Sequence, residues 1–149
     1  MTNILQTDLI KGLTLTLQNF FKKPVTLRYP EVRYELPDTF RGAQILKRDS
    51  EGSERCVGCG LCPEICPSKA ITLITSEDEE GEKRVDFYQI HLGLCIYCGY
   101  CQEVCPVDAV WMGRDYELSL TDPSRLKVTK EEMLQKGDDP HYDRLGESR

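Results

Sequence analysis

Residues 56–67 read CVGCGLCPEICP and residues 95–106 read CIYCGYCQEVCP. Each stretch is a C-x2-C-x2-C-x3-C-P run, with Cys56, Cys59, Cys62 and Cys66 before Pro67, and Cys95, Cys98, Cys101 and Cys105 before Pro106. The offset between the runs is 39 residues and extends past the cysteines: Gly60 matches Gly99, Ile65 matches Val104, and Ala70-Ile71 matches Ala109-Val110. Self-similarity at one fixed offset marks an internal duplication. All eight cysteines of the 149-residue chain lie inside the duplicated segment.

Three chemistries use clustered cysteines, and spacing separates them. A disulfide framework belongs to small secreted chains, and three cysteines at intervals of three converge on one centre better than they cross-link distant segments. Zinc draws on two separated cysteine pairs and has no use for three closely spaced ligands plus a fourth followed by proline. The run found twice here is the bacterial signature for [4Fe-4S] clusters, in which the fourth cysteine of each run ligates the other cluster. A tight loop reaches three iron corners of a cubane, and the fourth cysteine points away on a short helix. The expected ligand sets are therefore crossed: Cys56, Cys59, Cys62 and Cys105 for cluster one, and Cys95, Cys98, Cys101 and Cys66 for cluster two.

Each half reads as strand, cysteine loop, short helix, strand. The candidate helices are residues 60–66 and 99–105, stopped by Pro67 and Pro106. Residues 70–74 and 84–88 read as strands flanking the acidic turn 75–81. Gly60 and Gly99 are expected to bring backbone amides up to cluster sulfur, a contact that raises the reduction potential, or to serve a tight turn; both readings stand. Leu61, Ile65, Tyr97, Tyr100 and Val104 are expected to cover the clusters and exclude water. His91, four residues before Cys95, reads as a packing or surface residue because four cysteines complete each set, and His141 sits in a polar tail. No G-x-G-x-x-G or G-x-x-x-x-G-K-[ST] motif accompanies the runs, so no catalytic site is expected and no small-molecule substrate is expected to bind directly. Two clusters without a substrate pocket imply electron relay.

Composition narrows the setting. Apolar residues make up 40% and charged residues 30%, enough for a modest core. No stretch approaches the roughly 18–20 apolar residues of a membrane-crossing helix. The opening MTNILQTDLIKGL reads neither as a signal peptide nor as a mitochondrial-type presequence, so the chain is expected to stay where it is made. Residues 1–50 carry eight basic and five acidic side chains, residues 51–110 four and eleven, and residues 111–149 seven and nine. The best-marked segment has the wrong sign for a nucleic-acid footprint, which sets that class of partner aside.

Fifty-five residues precede Cys56 and 44 follow Cys105, more than a minimal two-cluster domain needs. Residues 4–21 put Leu5, Leu9, Ile10, Leu13, Leu17, Phe20 and Phe21 on one arc at helical spacing, with Ile4 and Leu15 off it, and Lys22-Lys23-Pro24 closing the helix with positive charge. Such a face suits a membrane surface or membrane subunits. Residues 24–44, with three prolines, read as an extended strap. In the tail, Thr129 to Gln135 reads as a short helix opened by a Thr129/Glu132 capping box, and the polar residues beyond Gly137 as loose.

Over roughly residues 10–135 the chain resembles the subunit I family of NADH-quinone oxidoreductase, respiratory complex I, called TYKY-type in mitochondria. The residues that carry the likeness are Asn19 through Thr26, Arg28-Tyr29-Pro30-Glu31 through Leu36-Pro37, Phe40-Arg41-Gly42, and both cysteine runs, including Cys95 through Cys101 as CIYCGYC. The resemblance implies an α+β fold: a duplicated bacterial-type 2×[4Fe-4S] ferredoxin with an N-terminal amphipathic helix (1–23), an extended strap (24–50), the two-cluster domain (51–115) and a C-terminal extension (116–149). It implies a non-catalytic subunit with two [4Fe-4S] clusters in the peripheral arm of a proton-pumping enzyme, passing electrons toward the terminal cluster and quinone. The implied partners are other peripheral-arm cluster subunits, membrane-arm subunits and, through residues 4–21, the membrane surface. The implied location is the cytoplasmic face of a bacterial inner membrane. Related membrane-bound hydrogenase-type complexes, or a free ferredoxin-like carrier, are the alternatives.

Overall fold

The computed structural model describes residues 3–77, 81 and 83–142, with side chains from residue 7 onward. The chain divides into two units, Met1–Glu35 and Leu36–Arg149. In the first, helix α1 (Asn3–Phe20) occupies the stretch expected from its apolar spacing. Leu9, Ile10, Leu13, Leu17 and Phe20 are each more than half exposed, and so is the off-arc Leu15. Thr14 and Thr16 turn their hydroxyls back onto the carbonyls of Ile10 and Leu13 at 2.8 and 2.9 Å, which satisfies both hydroxyls within the helix. The helix stops one residue short of the expected end. Lys22 and Lys23 lie just beyond its last turn.

The second unit opens on strand β1 (Gln44–Leu46), inside the segment read as an open strap. All three of its residues are buried, as are all three of β4 (Val110–Met112), with which it pairs antiparallel. A strand buried on both faces loses the alternation that reveals strands in sequence, and three residues leave little to read. Strands β2 (Ile71–Glu77) and β3 (Lys83–His91) form a hairpin whose register shifts between Ile74 and Thr75. Of the acidic turn expected at 75–81, residues 75–77 instead extend β2, and residues 78–80 lie outside the described residues, as do residue 82 and residues 143–149 of the polar tail. Strand β5 (Lys127–Thr129) adds itself to the free side of β3. The C-terminal extension therefore completes a sheet rather than trailing from it.

Helix α4 (Lys130–Asp138) follows directly, and the capping box is formed in both directions: the Glu132 amide donates to the Thr129 hydroxyl, and the Thr129 amide donates to the Glu132 carboxylate at 2.8 Å. Its buried side, Met133 and Leu134, packs on β1, so the tail and the end of the strap meet over the core. The short helices α2 (Leu61–Ile65) and α3 (Tyr100–Val104) pack against each other, α2 also touching β2 and α3 touching β4.

The duplication is visible in the backbone. Positions 39 residues apart share left-handed φ values: Gly58 and Tyr97 at 64° and 55°, Gly60 and Gly99 at 79° and 80°, Lys69 and Asp108 at 50° and 48°. The fourth cysteines leave their helices alike, with φ, ψ of −67°, 114° at Cys66 and −71°, 114° at Cys105. Left-handed φ at the non-glycine positions Tyr97, Lys69 and Asp108 is uncommon, and its repetition reflects a loop shape imposed on both halves.

Candidate metal centre

Each cysteine run begins as a loop, turns through a left-handed glycine and enters a one-turn helix whose first turn carries the third cysteine. Cys62 and Cys101 are buried at these positions. Proline after the fourth cysteine ends the helix, and the chain then hooks back so that the amide four residues on meets the sulfur: Ala70 N–H donates to Cys66 Sγ at 3.3 Å, and Ala109 N–H to Cys105 Sγ at 3.2 Å. A third amide, Tyr97 N–H, donates to Cys95 Sγ at 3.4 Å, and the Gly58 amide plays the same part at Cys56.

One cavity brings Cys56, Cys59 and Cys62 of the first run together with Cys105 of the second. It is otherwise walled by apolar groups, including Val57, Leu73, Val107 and Val110, with Tyr88 among them. On the other side, Cys101 lies among Cys95, Cys98 and Cys62, so the two groups of thiols are neighbours. Cys66 is held by its own turn, with Ser68 Oγ 3.6 Å from its sulfur. Among the described residues, no group of three His, Cys, Asp or Glu side chains is drawn together around a single ion.

The electrostatics follow from this packing. Burial, first of all, pushes the Cys62 thiol up to about 11, and the charges of Cys56, Cys59 and Cys105 add to it, while a hydrogen bond from Tyr88 opposes them. Cys101 is pushed up to about 12, by burial and then by Cys62. Cys56 is raised by burial, with Cys105 and Cys59 adding to the effect. At Cys66 burial also acts upward, but the Ser68 hydroxyl and the amides of Ala70, Ser68 and Ile71 outweigh it and the thiol falls below its ordinary value. Four thiolates in such surroundings repel one another and need a positive core between them, and binding that core displaces their protons. The donor set, the apolar wall and the amides aimed at sulfur fit iron-sulfur clusters.

Several expectations for the surroundings are corrected. Leu61, Ile65 and Tyr100 are exposed, because a one-turn helix held by its cysteines turns its remaining side chains outward. Tyr97, also expected there, is partly buried against the core, and the first thiol set is further covered by strand residues such as Tyr88 and Val110. Gly60 lines the four-thiol cavity and its missing side chain would meet no protein atom within 4 Å, whereas the space beside Gly99 is taken by the Arg41 guanidinium, which pairs with Glu103 at 3.1 Å. His91 is half-buried at the end of β3, its Nδ1 buried without a hydrogen-bond partner. Tyr88 and Gln44 were not expected at the site. The Tyr88 hydroxyl lies 3.6 Å from Cys62 Sγ, and the Gln44 amide 2.9 Å from Cys95 Sγ. Tyr88 leaves a trace in the sequence, since Tyr88 and Ile90 alternate with the polar Gln89 and His91; Gln44 leaves none.

A 4Fe-4S dicluster domain model matches residues 55–109. NADH-quinone oxidoreductase subunit I of Helicobacter pylori is 48% identical over 129 residues, covering 85% of this chain and 58% of the relative. The chain is a homologue of subunit I. The same subunit from Cytophaga hutchinsonii is 44% identical over 85 residues, 57% of this chain and 49% of the relative. The chain thus spans about half the length of these curated relatives. Among solved structures, a chain of the membrane-bound sulfane sulfur reductase, an archaeal respiratory membrane complex, matches with a TM-score of 0.52 at 32% identity, covering 72% of this chain and 53% of that one. The 4Fe-4S dicluster domain and the eight cysteines of this chain fit two [4Fe-4S] clusters as its cofactors. Among the described residues no helix is long and apolar enough to cross a membrane.

Proposed function

We propose that this chain is an electron-relay subunit of the peripheral arm of a proton-pumping NADH-quinone oxidoreductase, holding one cluster with Cys56, Cys59, Cys62 and Cys105 and the other with Cys95, Cys98, Cys101 and Cys66. The observation that carries the reading is the cavity into which both cysteine runs contribute thiols. When bound, each cluster supplies one-electron storage. The chain's own residues do the rest. The crossed fourth cysteines tie the halves together and hold the two thiol sets side by side, Cys62 against Cys101. Leu73, Val107 and Val110 exclude water from the first set, and the amides of Ala70, Tyr97 and Ala109 stabilise charge on sulfur.

Helix α1 supplies the membrane side of this reading. Its apolar residues are exposed, and the basic residues of the first 50 suit an anionic surface. The partners on this view are further cluster subunits and membrane-arm subunits, on the cytoplasmic face of a bacterial inner membrane. The likeness to a subunit of an archaeal respiratory complex favours a second reading, the equivalent relay in a membrane complex with another donor. Purification of the tagged chain from gently solubilised host membranes without oxygen separates them. Recovery in one large complex with flavin and NADH dehydrogenase activity supports the first reading, and a flavin-free complex the second. A small soluble iron protein without stoichiometric partners refutes both.

A further inference from the structure

The two halves of the dicluster unit carry side-chain donors at one and the same place. In the β1–β4 pair Gln44 stands opposite Met112, and in the β2–β3 pair Tyr88 stands opposite Leu73. Leu73 and Met112 are 39 residues apart, the offset of the duplication, so Gln44 and Tyr88 occupy corresponding positions on the strands that precede the two cysteine loops. Tyr88 points its hydroxyl at Cys62 Sγ, 3.6 Å away, and Gln44 points Nε2 at Cys95 Sγ, 2.9 Å away. The duplicated fold thus gives each thiol set one donor, but the donors differ in chemistry and in distance.

Gln44 is costly where it stands. It is 3% exposed, its strand neighbours Ile45 and Leu46 are apolar and fully buried, and its Oε1 is buried without a hydrogen-bond partner. An apolar residue would remove that orphaned oxygen, so the polar side chain needs a reason. Its orientation follows from charge: reversing the amide would set a carbonyl oxygen against a thiolate, two acceptors in contact, so the N–H faces sulfur. A hydrogen bond to a ligand sulfur favours the more negative, reduced state and raises the reduction potential.

We propose that Gln44 and Tyr88 are positioning residues that make the two clusters unequal, with the close Gln44 amide raising the potential of the cluster on Cys95, Cys98, Cys101 and Cys66 more than the distant Tyr88 hydroxyl raises the other. This rests on the cluster assignment above. The couple in question takes up one electron from a donor of lower potential, moving the core from 2+ to 1+, with no bond broken and no proton transferred.

The test is a potentiometric titration of the anaerobic, cluster-loaded full chain, followed by electron paramagnetic resonance, with Cys56→Ser and Cys95→Ser used to assign the two signals. Gln44→Met keeps length and loses the donor. At the wild-type midpoint it should lower the reduced-to-oxidised ratio of the second cluster about tenfold, which is about 59 mV for a one-electron couple, and leave the first in place. Tyr88→Phe should lower only the first couple, and by less. Wild-type chain labelled with 15N in glutamine side chains should show nitrogen coupling to the second signal that Gln44→Met abolishes, a measurement that needs only the native protein for its first half. An unmoved second couple, equal movement of both couples, a larger shift from Tyr88→Phe, or no glutamine nitrogen coupling in the wild type overturns the proposal. Absence of two cluster signals from the wild-type chain overturns the cluster assignment itself.

Discussion

Gly137 sits inside helix α4, where glycine is ordinarily a poor choice; replacing it by alanine in a solvent-facing helix gains about 1 kcal/mol. Here the sign reverses. A Cβ at Gly137 would fall on the carbonyl oxygen of Leu46, inside any real contact, with the Leu46 carbonyl carbon 2.9 Å away. Both obstructing atoms belong to the backbone of β1, which is paired with β4, so no side-chain rotation relieves the overlap. The helix must retreat and loosen Met133 and Leu134, which are 1% and 3% exposed. Overpacking costs about 1–3 kcal/mol, and a backbone obstacle belongs at the upper end. Set against the propensity gain, the net loss is about 2 kcal/mol, or about 4–8 °C in Tm for a chain of this size. Anaerobic thermal unfolding of the cluster-loaded protein at one fixed scan rate, read by circular dichroism and visible cluster absorption, measures it. Gly12→Ala in α1, where a Cβ meets nothing within 4 Å, is the control and should lose nothing. A Gly137→Ala protein as stable as wild type would show that α4 does not rest on β1 in this way.

Cys105→Ala should abolish the resonance signal assigned to Cys56, Cys59 and Cys62 and spare the other; loss of the signal belonging to Cys95, Cys98 and Cys101 instead would refute the crossed ligand sets. Deleting residues 1–23 should move the chain from membranes to the soluble fraction with its iron content unchanged, and continued attachment would sink the role given to α1. Thr129→Ala removes the hydroxyl that receives the Glu132 amide and should cost about 1 kcal/mol of unfolding free energy in denaturant titration; a neutral result would mean that the junction of β5 and α4 is held by packing alone.

The cysteine loops, the short helices behind them, the β2–β3 strands, α1 and the capping box at Thr129 were all legible, because each rests on local rules. Ligand spacing fixes loop shape, proline ends a helix, and apolar residues at helical spacing declare one face. Strands β1 and β5 were not legible. Gln44, Ile45 and Leu46 show no alternation because both faces of β1 are covered, one of them by a helix that begins 84 residues later in the chain. The cover of the site was misplaced for a related reason: Leu61, Ile65 and Tyr100 are close to the ligands along the chain but turned outward, while Tyr88 and Val110 reach the cavity only through strand register.

The residues alone, then, determine the chemistry: eight cysteines in two matching runs specify a pair of clusters, since ligand count and spacing are properties of the chain. Which buried donors face which sulfur is a different kind of fact. Gln44 is 51 residues from Cys95 and Tyr88 is 26 from Cys62, and each pair meets only because antiparallel pairing brings two strands into register across a duplicated core. Hydrogen bonds act over about 3 Å, and at that range folding, rather than order along the chain, selects the partners.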